Sequence, residues 1–338
     1  MERRGKIHRS VLTMRKILNI VTMNFTSAMH LGFGVGDEYD KSSGVLYSDT
    51  LSAALCSVWA KCGGDVSSFL ESFKVSSAMP SYDGRLFMPL PPDKQCIIVK
   101  GSEVAYKRLK HLMWIEMPLW EQLARDGQIE IAEEMISDCG TAIVVGSGRG
   151  VVIMRRFVEQ KVQVGLPNED ATPYFFDKIF FGPKVSLYVL YEAEDNAVFC
   201  RAFELLADAG IGTSRSTGNG GFNVVFGQTE IDVNPDIASS QMLSMWIPLE
   251  EECTSDIMSY SCYKMLLRGG YMAGAEQPSH RHLLKKNIYM IESGSVIAHT
   301  PLAGKIADLR PDGVACHPVW RDGRAFYLPF KICKAYEM

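Results

Sequence analysis

The chain has 338 residues, a formal net charge of −4 and 47% hydrophobic residues, a composition typical of a folded globular protein and not of a disordered or fibrous one. The sequence has no apolar run of about eighteen residues, which excludes a membrane-spanning helix. The basic first ten residues lead into neither an apolar segment nor a small-residue cleavage site, so we expect a cytoplasmic protein.

Cysteine spacing argues against disulfides and against metal binding. The nine cysteines stand singly in the sequence, without a Cys-x-x-Cys pair. That pattern is typical of reduced thiols and not of zinc ligands. We therefore predict no metal site and no cofactor.

The first part of the chain predicts a strand followed by a helix. Residues 1–13 are expected to form a flexible tail, and residues 14–23 a strand. Residues 48–59 carry apolar side chains at helical spacing, with Ser48 and Asp49 as candidate caps. We interpret Asp49 as a helix-capping carboxylate rather than a catalytic one.

A glycine-rich loop lies between that strand and that helix. It spans residues 27–36 and contains His30, Gly32 and Gly34. The segment leads into polar loop and not into a helix, so a Rossmann dinucleotide site is disfavoured.

The middle of the chain predicts an insertion and two hairpins. Residues 102–138 are expected to form a helical insertion that includes an acidic helix over residues 130–138, and residues 142–154 a hairpin. A second, projecting hairpin is predicted over residues 155–181. It combines basic and aromatic side chains, a mixture that stacks on unpaired bases.

Basic residues cluster in and just before the projecting hairpin, at Arg149, Arg155, Arg156 and Lys161. A local basic surface on a mildly acidic chain is compatible with a nucleic-acid groove whose neighbours supply more charge. An ordinary hairpin with inward-facing aromatic side chains, on a solvated surface of mixed charge, is the alternative.

A second glycine-rich loop, residues 210–222, follows a predicted helix over residues 195–209 and precedes a predicted strand. Its backbone N–H groups, its hydroxyls and the guanidinium of Arg215 suit contact with phosphates and sugars. Thirteen residues are long for a plain helix-to-strand connection. A nucleotide-binding enzyme is disfavoured because the loop lacks the lysine of a P-loop.

The C-terminal part is dominated by predicted strands, including one over residues 242–249 and a closing hairpin over residues 317–330 with Asp322-Gly323 as its turn. The element order predicts an α+β fold with two ferredoxin-like (RRM-related) modules. We place the first module, with its helical insertion and thumb hairpin, at residues 14–230 and a second, degenerate module at residues 238–338.

Five stretches together resemble a known family. They are the segment His30-Leu-Gly-Phe-Gly before the helix start Ser48-Asp-Thr-Leu, the glycine loop 210–222, Gly294-Ser-Val, and His317-Pro-Val-Trp-Arg-Asp-Gly. The combination is similar to the Csm-type RAMP subunit of type III-A CRISPR effector complexes, the subunit that caps the crRNA 5′ handle. The insertion at residues 102–138 has no match in that pattern.

The resemblance implies a non-catalytic crRNA-binding subunit of an antiviral interference complex. Its implied partners are the crRNA 5′ handle, the large polymerase-like subunit and a neighbouring RAMP backbone subunit. The RNA-binding residues that we predict from the loops, the hairpin and the resemblance are His30, Gly32, Gly34, Ser48, Arg149, Arg155, Arg156, Lys161, Gly210, Gly212, Arg215, Ser216, Thr217, Gly218, Gly220 and Phe222.

The competing hypothesis is a RAMP-type endoribonuclease that processes crRNA. Such enzymes use a histidine near the first helix as general acid and base, and His30 occupies that part of the sequence. No second acid or base stands near it in the sequence, so we favour the binding subunit.

Overall fold

The computed structural model describes residues 13–32, 39–100, 109–163, 172–272, 283–314 and 317–333. Most of the predicted tail, the predicted RNA contact Gly34, the first part of the predicted insertion and the tip of the projecting hairpin lie outside these ranges. No helix in the described ranges is long and apolar enough to cross a membrane.

Strands make up most of the regular structure. In chain order they are β1 (Met14–Phe25), β2 (Phe73–Val75), β3 (Met79–Tyr82), β4 (Arg85–Pro89), β5 (Ile97–Val99), β6 (Trp114–Glu116), β7 (Ile129–Ile131), β8 (Ala142–Ile143), β9 (Arg155–Gln163), β10 (Thr172–Phe180), β11 (Val185–Ala193), β12 (Phe222–Val233), β13 (Ser240–Met242), β14 (Met265–Arg268), β15 (Ile288–Ile291), β16 (Val296–Ile297), β17 (Gly304–Asp308), β18 (Trp320–Arg324) and β19 (Tyr327–Pro329).

The helices of the described chain are α1 (Ser48–Lys61), α2 (Val66–Glu71), α3 (Met117–Asp126), α4 (Asn196–Ala209) and α5 (Ser255–Ser259). Short 3₁₀ turns cover Glu133–Met135, Arg215–Thr217 and Glu250–Glu252. The predicted mixed α+β class is confirmed.

One large sheet organises the N-terminal half, with strand order β12-β1-β11-β3-β4-β6-β8 and β2 paired with β11. β1 lies antiparallel between β11 and β12, and β3 pairs antiparallel with β11. Following the chain through β1, α1, β3, β11, α4 and β12 therefore gives two strand-helix-strand halves on one antiparallel sheet.

Helices α1 and α4 cover one face of this sheet. Leu51 and Leu55 of α1 pack with Phe199 and Phe203 of α4 in one apolar core above the sheet. The predicted α4 is confirmed, because its period of 3.6 residues places these side chains on one face. The Asp195 carboxylate accepts the N–H groups of Ala197 and Val198, at 2.9 and 3.1 Å, and so caps the helix.

The other face of the sheet is covered by α3 and by the C-terminal half. Tyr188 and Leu190 of β11 share a core with Trp120 of α3 and with Leu243 and Leu328. The indole N–H of Trp120 donates to Gln241 Oε1 at 2.6 Å, a hydrogen bond between buried groups of the two halves. The sheet is thus the middle layer of three.

The predicted projecting hairpin is confirmed. β9 and β10 pair antiparallel along their whole length, and in the described part of the chain they form a two-stranded sheet of their own. We call this hairpin, Arg155–Phe180, the thumb.

The predicted acidic helix over residues 130–138 is wrong. Helix α3 ends at Gly127, whose φ of 75° is left-handed, as glycine readily allows. Ile129 and Ile131 then alternate with an exposed Glu130 and form β7, parallel to β5. A strand of three residues is too short for its period of two to stand out in the sequence.

The predicted hairpin over residues 142–154 is also wrong. β8 pairs in parallel with β6, and Val151 and Ile153 are buried outside any strand. The prediction rested on two short apolar runs, residues 142–145 and 151–154, on either side of a glycine-rich turn. Such runs indicate burial, but they do not show whether the residues pair as strands.

The C-terminal half differs from the predicted second module in its pairing. Its strands form separate small sheets, β16-β13-β19, β14-β15 and β17-β18. The strand predicted over 242–249 ends at Met242. Asp322-Gly323 lies inside β18, paired with β17, and is not a turn. Glycine is needed at 323 for close packing, since a Cβ there would lie 2.4 Å from Ile247 Cγ1.

A buried ion-pair cluster joins the two halves at α1. Asp49 is fully buried and accepts hydrogen bonds from Arg268 at 2.9 Å and from Arg321 at 2.6 Å. Burial alone would raise the pKa of Asp49, but the two guanidinium groups hold it below its usual value. Asp49 is therefore not the predicted helix cap. Tyr47 occupies the cap position, and its side chain makes no capping hydrogen bond to the helix backbone.

Replacing Asp49 by Asn should lower the free energy of unfolding by about 3 kcal/mol, because two buried guanidinium groups lose their counterion. Urea unfolding at pH 7 measures this difference. Because the folded-state pKa of Asp49 is depressed, its contribution is present above the unfolded-state pKa of about 4 and is lost as the pH falls further. The gap between wild type and variant should therefore narrow in acid.

Asp83→Asn is the matched control, since Asp83 pairs with Lys184 at 3.4 Å and both side chains are more than half exposed. We expect a change below about 1 kcal/mol for this exposed pair. Equal effects of the two substitutions would contradict the assignment of Asp49 as the link between the halves.

Candidate nucleic-acid interface

The glycine loop 210–221 ends in an exposed tip. Helix α4 stops at Gly210, and a 3₁₀ turn over Arg215–Thr217 follows the left-handed Ser214. The consecutive residues Arg215, Ser216, Thr217 and Gly218 are all exposed. The tip therefore presents one guanidinium and two hydroxyls to the solvent.

Two of the loop glycines are required by contacts inside the protein. Gly212 has a φ of 94°, and a Cβ there would lie 2.4 Å from the carbonyl oxygen of His30. Gly220 has a φ of 75°, and its Cβ would lie 1.8 Å from the carbonyl oxygen of Ile211. Gly218 differs, since nothing lies within 4 Å of a Cβ placed there. Gly212 and Gly220 thus shape the loop, and only Gly218 lies on its exposed tip.

The loop rests on the segment that follows β1. The N–H and the hydroxyl of Thr213 both donate to the carbonyl oxygen of His30, at 3.0 and 3.2 Å. The N–H of Gly220 donates to Ala28 O at 2.7 Å, and that of Gly221 to Ser27 Oγ at 2.9 Å. Four hydrogen bonds thus fix the base of the loop.

The same segment holds the base of the thumb. Nδ1 of His30 donates to the carbonyl oxygen of Asp177 at 2.7 Å, and the imidazole stacks on Phe176 with ring centroids 4.5 Å apart. Met29 and Ile179 exchange two backbone hydrogen bonds, at 2.9 and 2.8 Å. His30 therefore contacts both the glycine loop and the thumb, and it is only 1% exposed.

The thumb carries exposed apolar side chains on both faces. Phe157 is 59% exposed and Phe175 56% exposed, although they lie on opposite faces in the observed register. Aromatic side chains in water are unusual in a hairpin that serves only to pack. Phe176 does face inward, with Lys161 Nζ 4.4 Å from its ring centroid.

The predicted basic residues fall into different environments. Arg155 and Arg149 are exposed, Arg149 in the loop between β8 and β9. Arg156 is 48% exposed and donates to the buried carboxylate of Asp177 at 3.2 Å. Lys161 is 24% exposed, over Phe176 and within 4.0 Å of Glu159.

Several predicted RNA contacts are buried. Ser48 is 3% exposed, and its Oγ accepts the N–H of Met245 at 2.8 Å between the two halves. Phe222 is 4% exposed, beneath the loop and 5.4 Å from the ring centroid of Phe25. Gly210 is buried, and Gly32 is exposed beside His30. The structure thus gives Ser48, Phe222 and His30 internal contacts in place of an exposed surface.

Sequence reasoning missed Asp177, Tyr39 and Thr213. Asp177 is 3% exposed and bonds to the segment after β1, as does Thr213. The only sequence signal for Asp177 is a carboxylate within an otherwise aromatic and apolar strand. Thr213 is marked only by its place in the glycine loop. Nothing in the sequence marks Tyr39, whose carbonyl oxygen accepts the Asp177 N–H at 2.9 Å, because its partner is distant along the chain.

Comparison with known proteins gives a consistent relationship. The family model described as CRISPR Csm4 C-terminal domain matches residues 237–330. The CRISPR system Cms protein Csm4 of Thermococcus onnurineus (strain NA1) is 23% identical over 247 residues, which cover 70% of this chain and 74% of that protein.

Two solved structures share the fold. The Csm3-Csm4 subcomplex of the type III-A CRISPR-Cas interference complex contains a chain with a TM-score of 0.65 and 16% identity, covering 93% of this chain and 100% of that one. A Csm1-Csm4 cassette in complex with cA4 gives a TM-score of 0.60 and 18% identity, covering 94% of this chain and 99% of that one.

The resemblance in the sequence is therefore confirmed by a matched domain, by a relative that aligns over most of the chain and by a shared fold. Residues 237–330 thus match the Csm4 C-terminal domain, and the chain as a whole is similar in sequence and fold to Csm4 subunits of type III-A CRISPR complexes.

Proposed function

We propose that this chain is a non-catalytic crRNA-binding subunit of a type III-A interference complex, in which it binds and caps the 5′ handle of the crRNA. The carrying observation is the common support of two exposed surfaces. The tip Arg215–Gly218 and the thumb are both fixed to the segment around His30. A strand of RNA could therefore contact both surfaces without a large cost for ordering them first.

The topology supports RNA binding. The order β-α-β-β-α-β, with sheet order β12-β1-β11-β3, is that of a ferredoxin-like module, the fold that RNA-recognition modules use. We assign this module to residues 14–230, with residues 1–13 as a tail. We assign residues 238–338 to a second, degenerate module, whose described strands form separate small sheets.

The chemistry of the two surfaces is complementary. Arg215, Ser216 and Thr217 offer charged and neutral donors to phosphate and ribose oxygens. Phe157 and Phe175 offer exposed rings to unstacked bases, each such stack contributing about 1–3 kcal/mol. A net charge of −4 gives the chain no overall attraction to RNA, so we expect the assembly to supply much of the affinity.

The partners follow from the relatives. Related chains have been solved as a Csm3-Csm4 subcomplex and as a Csm1-Csm4 cassette. We infer that this chain likewise docks the large polymerase-like subunit, Csm1, and the backbone RAMP subunit, Csm3, in the cytoplasm. Its position at the handle end of the RNA would place it between the two.

The endoribonuclease alternative fits the geometry poorly. A general acid or base must reach the proton that it transfers, but His30 is 1% exposed. Its Nδ1 is bonded to a backbone carbonyl and its ring is stacked on Phe176. These contacts support a role in positioning the loop and the thumb.

Arg215→Ala should weaken crRNA binding by the assembled complex and make the binding less dependent on salt. Removing one phosphate contact to a single strand lowers the slope of log K against log salt by about 0.7. Binding of the co-purified crRNA, titrated across a series of NaCl concentrations, measures both effects.

Arg201→Ala is the control, because Arg201 is an exposed arginine of the preceding helix with a side chain 68% exposed and paired to Glu204. We expect no change in affinity or in slope for this variant. Identical behaviour of the Arg215 and Arg201 variants would count against the loop tip as an RNA contact.

The wild-type chain should leave repeat RNA intact, because His30 is only 1% exposed and its Nδ1 already donates to the carbonyl oxygen of Asp177. Incubation of the purified chain and of the purified complex with labelled repeat RNA tests this expectation. Cleavage that disappears in a His30→Ala variant of normal thermal stability would establish the nuclease instead.

A further inference from the structure

The thumb needs its base to define its direction. A two-stranded hairpin is marginally stable by itself, and in the described chain β9 and β10 pair only with each other among the named strands. In the described residues, an isolated bridge between Met29 and Ile179 and a hydrogen bond from the Asp177 N–H to Tyr39 O connect the backbone of the thumb to the segment after β1. The side-chain contacts at this junction therefore decide where the thumb points.

Asp177 makes four hydrogen bonds at this junction. Its N–H donates to Tyr39 O at 2.9 Å, and its carbonyl oxygen accepts from His30 at 2.7 Å. Its Oδ2 accepts from the Ser42 N–H at 2.9 Å and from Arg156 at 3.2 Å. One residue of β10 thus bonds to both ends of the segment between β1 and α1.

The carboxylate of Asp177 is unusually buried for a side chain of a surface hairpin. The residue is 3% exposed, and its Oδ1 is buried without a hydrogen-bond partner in the described part of the chain. A buried carboxylate depends strongly on the partners that it has. Loss of Arg156 or of the Ser42 N–H would therefore weaken the junction as a whole.

Adjacent arginines at the start of β9 have separate environments. Arg156 lies opposite Ile179 in the register and donates to Asp177. Arg155 lies opposite Phe180, on the other face of the hairpin, where it is exposed. Arg156 thus makes a contact within the protein, whereas Arg155 faces solvent.

We propose that Asp177 is a positioning residue which, through Arg156 and the Ser42 N–H, fixes the direction of the thumb relative to the glycine loop. It thereby sets the distance that bound RNA must cover between Arg215 and the exposed rings of Phe157 and Phe175. This consequence rests on the proposed function. Arg156 serves this junction, whereas Arg155 is the arginine of the pair that meets phosphate.

Hydrogen exchange without RNA tests the junction directly. In the full-length chain, alone and in a complex freed of RNA, Asp177→Asn should speed exchange of peptides 39–45 and 174–181 by about tenfold or more. Those peptides contain the amides of Ser42, Asp177 and Ile179, which are bonded across the junction. Peptides from β1 and β11 should keep wild-type exchange.

Arg156→Gln and Arg155→Gln form the matched pair. The first removes only the half-exposed partner of Asp177, and it should reproduce the local change even if Asp177→Asn does not fold. The second should leave exchange as in wild type. Unchanged exchange in the Arg156 variant, equal effects of the two arginine variants, or acceleration spread through β1 and β11 would each overturn the proposal.

Binding of the co-purified crRNA provides an independent test of the proposal. Arg155→Gln should lower the salt slope, whereas Arg156→Gln should lower affinity with an unchanged slope and broaden the nuclease footprint at the thumb. Failure of the wild-type complex to protect any RNA would remove the proposed function, but it would leave the exchange result on Asp177 standing.

Discussion

The geometry of the candidate interface depends on one short backbone segment, Thr26–Leu31, and above all on His30. Its carbonyl oxygen accepts hydrogen bonds from the N–H and the hydroxyl of Thr213. Its ring stacks on Phe176, and its Nδ1 donates to the carbonyl oxygen of Asp177. A carbonyl has two lone pairs, so this one is fully used. Because a single residue carries both sets of bonds, neither the glycine loop nor the thumb can shift without disturbing the other.

The glycines of the loop serve that constraint. Gly212 and Gly220 let the backbone approach His30 and Ile211 more closely than any Cβ would permit. The base of the loop is thereby closed by internal hydrogen bonds, and its polar side chains are left at the tip. A long loop that is bonded at its base and free at its tip can present donors without a large ordering penalty on binding.

The sequence indicated the elements whose determinants are local. Helix α4 has its cap, its apolar period and its terminal glycine within sixteen consecutive residues, and the thumb has two alternating strands around one polar tip. The failures concern long-range partners. Residues 142–154 contain two apolar runs around a glycine-rich turn, as a hairpin does, yet β8 pairs with β6 and not with residues 151–154. Gly323 resembles a turn residue, but it is small because Ile247 packs against it.

The same distinction holds for the candidate site. A polar, glycine-rich composition predicts exposure, and Arg215 to Gly218 are exposed. The burial of Ser48 and His30 follows from Met245 and Asp177, which are 197 and 147 residues away in the chain. Sequence spacing groups Arg155 and Arg156 as one basic cluster. The period of two in a strand separates them onto opposite faces, and only the structure shows that one face meets a buried carboxylate.

The C-terminal half takes part in this geometry through α1. Asp49 binds Arg268 and Arg321, and Arg324 donates to the carbonyl oxygens of Leu70 and Phe73 beside α2. α1 in turn packs on α4 in the same apolar core, and α4 ends at the glycine loop. Separating these groups would leave buried charges without their partners, which is costly, so the ion pairs resist a shift of α1 relative to the C-terminal half. The half that matches the Csm4 C-terminal domain therefore helps to place the loop that we assign to RNA.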